Sequence, residues 1–187
     1  MRSFIAIELP DTLKSALLSL QQELKKCGAD VRWVRPDGIH LTLKFLGDIE
    51  DRLVERIVES LKGTCGKFRA FNCEVRGVGV FPGTRNPRVL WAGISDHDTL
   101  ALLQVDIDSA MSSLGFERES RKFTAHLTLG RFRSSEGKAA LLDRMENYKE
   151  QQLGLIDVNH ISLMKSDLGP AGAKYTKIAE ISLEKQN

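Results

Sequence analysis

The tetrapeptide His-Leu-Thr-Leu occurs twice in this chain, at residues 40–43 within "GIHLTLKFLG" and at residues 126–129 within "TAHLTLGRF". No other feature limits the fold as strongly. Both copies have the alternating, apolar and β-branched character of a strand, on which side chains point to opposite faces in turn. His40 and Thr42 therefore share one face, while Leu41, Leu43 and Phe45 point the other way, into a core. His126 and Thr128 repeat the arrangement, with Leu127 and Leu129 behind them. One histidine on a strand is ordinarily a structural residue. The same His-x-Thr setting on two matched strands needs a shared cause, and the chain has only four histidines to distribute.

The elements around the two copies follow one plan. "SFIAIEL" reads as a strand, and Pro10-Asp11 opens a helix with Leu13, Leu17, Leu20 and Leu24 at helical spacing, closed by Gly28. "VRWV" and "HLTLKFL" read as strands, with Asp48 as the expected cap of a helix carrying Leu53, Ile57 and Leu61. In the second half, "FNCEVRGVGVF" and "RVLWAGI" are paired strands across the turn-rich "PGTRNP". A helix follows from Asp96 to Gly115, then the second HLTL strand, then a shorter helix around Leu141, Leu142 and Met145. "LIDVNHISLMKS" and "YTKIAEISL" are the last two expected strands, separated by "DLGPAGAK". No Pro/Ser-rich linker or charge block divides the halves. The expectation is one α+β domain over residues 1–187, built as two similar lobes that share a cleft.

Composition excludes several classes of function. A net charge of +2 is not the footprint of a protein that grips long duplexes by their phosphates. Basic clusters at 117–123 and 130–133 flank the second motif; singly, such residues are solvated surface charges. No apolar run is long enough for a membrane span, and the N-terminus lacks the pattern of a signal peptide. Three cysteines, Cys27, Cys65 and Cys73, form no CxxC pair and fit a reduced, cytoplasmic setting. No GxxxxGK[ST], GxGxxG, HExxH or Cys/His cluster is present, so no cofactor or metal site is expected.

Two opposed histidines supply one neutral base and one protonated acid near neutral pH. The threonines supply neutral hydroxyl donors for oxygens that gain charge. Together they suit metal-free in-line displacement at phosphorus, with one histidine activating the attacking oxygen and the other protonating the leaving one. His97 and His160 lack a threonine two positions on and are assigned no role. Phe45, Trp33 and Phe132 are candidates for base stacking but are assigned to the core, and Lys44 to an exposed strand end.

"RSFIAIELPD", "WVRPDGIHLTLKFLGD", "RVLWAGI", "FTAHLTLGRFR" and "LMKSDLGPAGAKYTKIAEISL" together resemble, in order and setting, the 2H phosphoesterase superfamily. More narrowly, they resemble its bacterial and archaeal RNA 2′,3′-cyclic phosphodiesterases, also called 2′-5′ RNA ligases. The resemblance covers essentially the whole chain. It implies a bilobal α+β fold with pseudo-twofold symmetry, each lobe an antiparallel sheet with flanking helices around a central cleft. It implies hydrolysis of RNA 2′,3′-cyclic phosphate ends to 2′-phosphomonoesters, with RNA ends and small nucleotides as partners. His40 would be the proton donor to the leaving 3′ oxygen and His126 the proton acceptor that activates water. Thr42 and Thr128 would hold nonbridging oxygens, and Arg131 matches a basic phosphate-binding position. Strict alternation sets Arg131 on the face opposite His126; a bulge at Gly130 would turn it back. The alternatives are reversible 2′-5′ end-joining as the main role, or a binding module without turnover. A monomer is expected, since nothing suggests a coiled coil or a long apolar face.

Overall fold

Apolar spacing in the sequence sets most of the elements of the computed structural model, which describes residues 1–95, 98–169 and 172–184. Strand β1 (Arg2–Ile7) leads into helix α1 (Asp11–Lys25), whose Leu13, Leu17, Leu20 and Leu24 form one buried stripe. Gly28, at φ 68°, takes the left-handed conformation that turns the chain back after the helix. Then follow β2 (Val31–Trp33), a 3-10 turn at Pro36–Gly38, β3 (Leu41–Asp48) and α2 (Val54–Cys65). The second half comprises β4 (Phe71–Phe81), β5 (Val89–Ile94), α3 (Asp98–Ser113), β6 (His126–Phe132) and α4 (Lys138–Glu146). Strands β7 (Gln152–Val158), β8 (His160–Gly169) and β9 (Gly172–Ser182) complete the chain.

The strands form two antiparallel sheets, a four-stranded one in the order β3-β1-β8-β9 and a five-stranded one in the order β2-β6-β5-β4-β7. Helices α2 and α3 pack behind the four-stranded sheet, and α1 and α4 behind the five-stranded one. Each sheet therefore carries one HLTL strand and two helices, the bilobal α+β arrangement. The lobes are not the two halves of the chain. β2 crosses to pair with β6, while β8 returns to pair with β1 and β9 pairs with β8. Residues 34–40 thus carry the chain from one sheet to the other just before His40. The buried Gln21 amide fixes this crossing, donating to the carbonyls of Val34 (2.8 Å) and Leu129 (2.9 Å). One continuous cluster of buried apolar side chains runs from Ile5 and Leu41 through Leu103 and Leu127 to Ile156 and Leu183.

Three details depart from the sequence reading. Asp48 stays within β3 and caps nothing; α2 starts at Val54, after a 3-10 turn at Asp51–Leu53, without a side-chain cap. "LIDVNHISLMKS" is two strands, because Asn159 separates β7 in one sheet from β8 in the other. Its apolar alternation changes parity there, from Ile156 and Val158 to Ile161 and Leu163, as the chain passes from one sheet to the other. β8 continues to Gly169, through residues read as a turn. His97 and Asp96, assigned to the start of the third helix, lie outside the described residues.

Candidate active site

The two HLTL strands are where the sheets adjoin, β3 at the edge of one and β6 next to the edge of the other. His40 immediately precedes β3 and His126 opens β6. Alternation then holds for three residues: Leu41, Leu127 and the second leucines Leu43 and Leu129 are buried, while Thr42 and Thr128 are half-buried on the opposite face.

At the fourth residue both strands break register in the same way. Thr42 pairs with Ala6 and Lys44 with Ile5, leaving Leu43 as an extra residue. Thr128 pairs with Trp91 and Gly130 with Leu90, leaving Leu129 extra. A bulge inverts the parity of everything after it. Arg131 therefore returns to the face of His126 and Thr128, where it is exposed. Gly130 turns inward, and a Cβ there would meet Val31 Cγ1 at 2.5 Å, which accounts for glycine.

The same inversion overturns two assignments on β3. Lys44 is not an exposed strand-end residue; it turns inward, and its side chain is 1% exposed. Its ammonium is satisfied by Asp108 Oδ1 of α3 at 2.6 Å and the Glu117 carbonyl at 2.8 Å. Asp108 Oδ1 also accepts the Glu119 backbone N–H at 3.2 Å, so the pair anchors the loop after α3. Phe45 is not core. It is 63% exposed and occupies on β3 the position that Arg131 occupies on β6. Trp33 and Phe132 do pack against the core as assigned.

Each histidine is held by the backbone two residues upstream. His126 Nδ1 lies 2.8 Å from the Thr124 carbonyl. A carbonyl only accepts, so Nδ1 carries the proton and Nε2 is left to face outward. His40 also bonds the backbone of Gly38. Aromatic rings brace both. His40 stacks on Phe4 at 4.6 Å and meets the edge of Tyr175 at 5.0 Å; His126 meets the edge of Phe81 at 5.0 Å. Burial among these rings pushes His40 down to about 4, against smaller upward effects from the Gly38 bond and the Glu8 charge. Sequence reasoning misses Phe4, Tyr175, Phe81 and Glu8, since their approach depends on strand pairing rather than on any local motif.

A second polar group lies on the His40 face of the four-stranded sheet. Glu8 Oε2 accepts from Ser162 Oγ and Lys177 Nζ, both at 2.7 Å, and Lys177 Nζ also lies 2.7 Å from Glu180 Oε2. His160 Nε2 is 3.7 Å from Glu180 and 4.0 Å from Glu8. Glu8, His160 and Glu180 could offer three ligand atoms to a metal. Lys177 already places its cation between the two carboxylates, and burial of Glu8 is outweighed by these bonds, which hold its carboxyl below the usual range.

Comparison with known proteins gives this arrangement its context. Residues 7–91 and 93–175 each match the family model described as LigT like Phosphoesterase, one match around each HLTL copy. The chain belongs to this family. Among curated LigT-like relatives, RNA 2′,3′-cyclic phosphodiesterase of Methanothermobacter thermautotrophicus is 34% identical over 176 residues, 94% of this chain and 95% of the relative. The protein of the same name from Methanocaldococcus jannaschii is 33% identical over 180 residues, 96% and 99% of the two chains. In structure the chain is similar to TT0787 of Thermus thermophilus, with a TM-score of 0.84 at 24% identity and full coverage of both chains. It is also similar to E. coli LigT complexed with 3′-AMP, with a TM-score of 0.72 at 24% identity over 97% of each chain. These two likenesses show the fold. Among the described residues no helix is long and apolar enough to cross a membrane.

Proposed function

We propose that this LigT-like protein hydrolyses RNA 2′,3′-cyclic phosphate ends to 2′-phosphomonoesters, with His40 and His126 as the acid and base. The observation that carries the reading is the matched pair of histidines. Each bonds the backbone two residues upstream, and each precedes a threonine on the same face of adjoining strands. The names of the LigT-like relatives supply the substrate class.

His126, with Nδ1 protonated, presents a free Nε2 lone pair and is the acceptor that activates water. His40 is the donor to the leaving 3′ oxygen. Before substrate binds, burial keeps it neutral near pH 7. A phosphate anion at about 5 Å in an effective dielectric of about 20 contributes about 3 kcal/mol, or about two pKa units, toward imidazolium. Substrate binding thus raises the imidazolium fraction of His40 near pH 7 about a hundredfold, to about a tenth of the molecules. The Thr42 and Thr128 hydroxyls and the Arg131 guanidinium hold the nonbridging oxygens, where charge accumulates in the transition state. The chain acts as one domain around one cleft, which the continuous core supports, and its three free thiols suit a cytoplasmic setting.

The test is a short RNA ending in a 2′,3′-cyclic phosphate, incubated with excess EDTA, with the position of the product phosphate determined. Release of 2′-phosphate alone is the expected result. Turnover that stops in EDTA and returns with a divalent metal would overturn the two-histidine reading.

A further inference from the structure

We propose that Arg32 binds the phosphodiester on the 5′ side of the terminal nucleotide, beside the phosphate held by Arg131, so that the site takes an RNA end in preference to a free cyclic nucleotide. The inference rests on the phosphodiesterase reading and adds a second phosphate site to it.

Arg32 and Arg131 are direct partners in the β2–β6 pair. Residues directly opposite in an antiparallel pair share a face, with Cα atoms about 5 Å apart. Val31 is buried and Trp33 packs against the core, so Arg32 between them points outward, onto the face of His126, Thr128 and Arg131. Like charges directly opposite on a sheet destabilise it. Nothing in the row offsets these two. On its other side Arg131 pairs with Val89, and Val89 with Phe81, so the row from β4 to β2 carries two cations and no carboxylate. Among the described residues no acid pairs with either guanidinium. An anion lying across both would relieve the repulsion.

Arg32 also stands where the lobes meet. A Cβ built on Gly172, the first residue of β9, would lie 3.6 Å from Arg32 Nη2, so the guanidinium reaches from the five-stranded sheet to the hairpin of the four-stranded one. β2 is the edge strand, and Arg32 lies on it one strand beyond Arg131. A terminal nucleotide carries its cyclic phosphate on one side of the ribose and its 5′ phosphodiester on the other. With the cyclic phosphate at the histidines and Arg131, the next anion along the RNA falls at the neighbouring strand. A guanidinium suits it, because its planar fork donates two parallel bonds to phosphate oxygens.

The experiment compares three substrates in the intact protein, Arg32→Gln and Arg32→Lys: uridine 2′,3′-cyclic phosphate, the dinucleotide UpU ending in a 2′,3′-cyclic phosphate, and the same dinucleotide with an uncharged methylphosphonate linkage. Loss of a charge-assisted phosphate contact predicts that Arg32→Gln raises KM for the charged dinucleotide about tenfold, with kcat nearly unchanged. The other two substrates lack that charge and show no such rise, and Arg32→Lys keeps part of the affinity. Equal losses on all three would put Arg32 at the reacting phosphate, and no loss on the charged dinucleotide would leave it a solvated surface charge; either result overturns the proposal. A parallel arm titrates 5′-fluorescein-labelled UpU carrying a terminal 2′-phosphate at several salt concentrations. The slope of log Kd against log salt should fall by about 0.7 in Arg32→Gln, one phosphate contact on a single strand, and an unchanged slope contradicts the assignment. Hydrolysis of none of the three substrates would count against the phosphodiesterase reading, and the binding arm would still decide the role of Arg32.

Discussion

Placing His40 between Phe4 and Tyr175 has a consequence that can be measured without any RNA. Burial lowers its pKa from 6.5 to about 4, so the folded protein holds the neutral ring and the unfolded chain binds a proton more readily. Between those two values the unfolded state gains protons that the folded state refuses. Stability is therefore complete above pH 6.5 and falls as the pH drops toward 4. At about 1.4 kcal/mol per pKa unit, the loss attributable to His40 is about 2 to 3 kcal/mol at the acid end. The assay is urea denaturation of the wild type and His40→Gln between pH 7 and 4, with the ring's C2 proton followed by NMR. We expect this part of the acid destabilisation to be absent in His40→Gln. We also expect the wild-type ring to titrate near 4 alone and about two units higher with sulfate bound. A ring that titrates near 6.5 without an anion would refute the reasoning, because burial would then not be governing its charge.

Other consequences follow from the paired bulges. Lys44→Met removes the ammonium from Asp108, whose side chain is only 14% exposed, and should cost about 3–5 kcal/mol in urea denaturation. Adding Asp108→Leu should recover most of it; a single variant costing under about 1 kcal/mol would show that the pair is not sealed from water. Gly130→Ala should cost about 1–3 kcal/mol, since its Cβ meets Val31 Cγ1 at 2.5 Å and the Arg32 carbonyl at 3.3 Å. Val31→Ala in that background should restore part of the loss, and no rescue would place the strain elsewhere.

The sequence carries this fold as far as local pattern reaches. His40, Thr42, His126 and Thr128 share faces as period-two alternation requires, and the leucine stripe of α1 is plain from its spacing. Legibility stops at Leu43 and Leu129, because a bulge is defined by the partner strand and leaves no local mark. Alternation alone therefore puts Lys44 and Phe45 on each other's sides. Arg131 escapes the same error only because Gly130 beside it suggests a bulge. Pairing also explains the crossing of β2 and the change of sheet at Asn159, since no local pattern names the sheet that each strand joins. The exposure of Phe45 and the ring cage around His40 belong to that same non-local information.

The most direct test of the central claim is the single-turnover rate on a cyclic-phosphate-ended RNA in EDTA, for the wild type, His40→Ala, His126→Ala and the double variant. General acid–base catalysis predicts a loss of about 10²–10⁴ for each single variant. The double variant should lose less than the product of the two, because the histidines act in one step. A single variant that keeps the wild-type rate would remove that histidine from the chemistry, and with it the account of two opposed HLTL strands as an acid and a base.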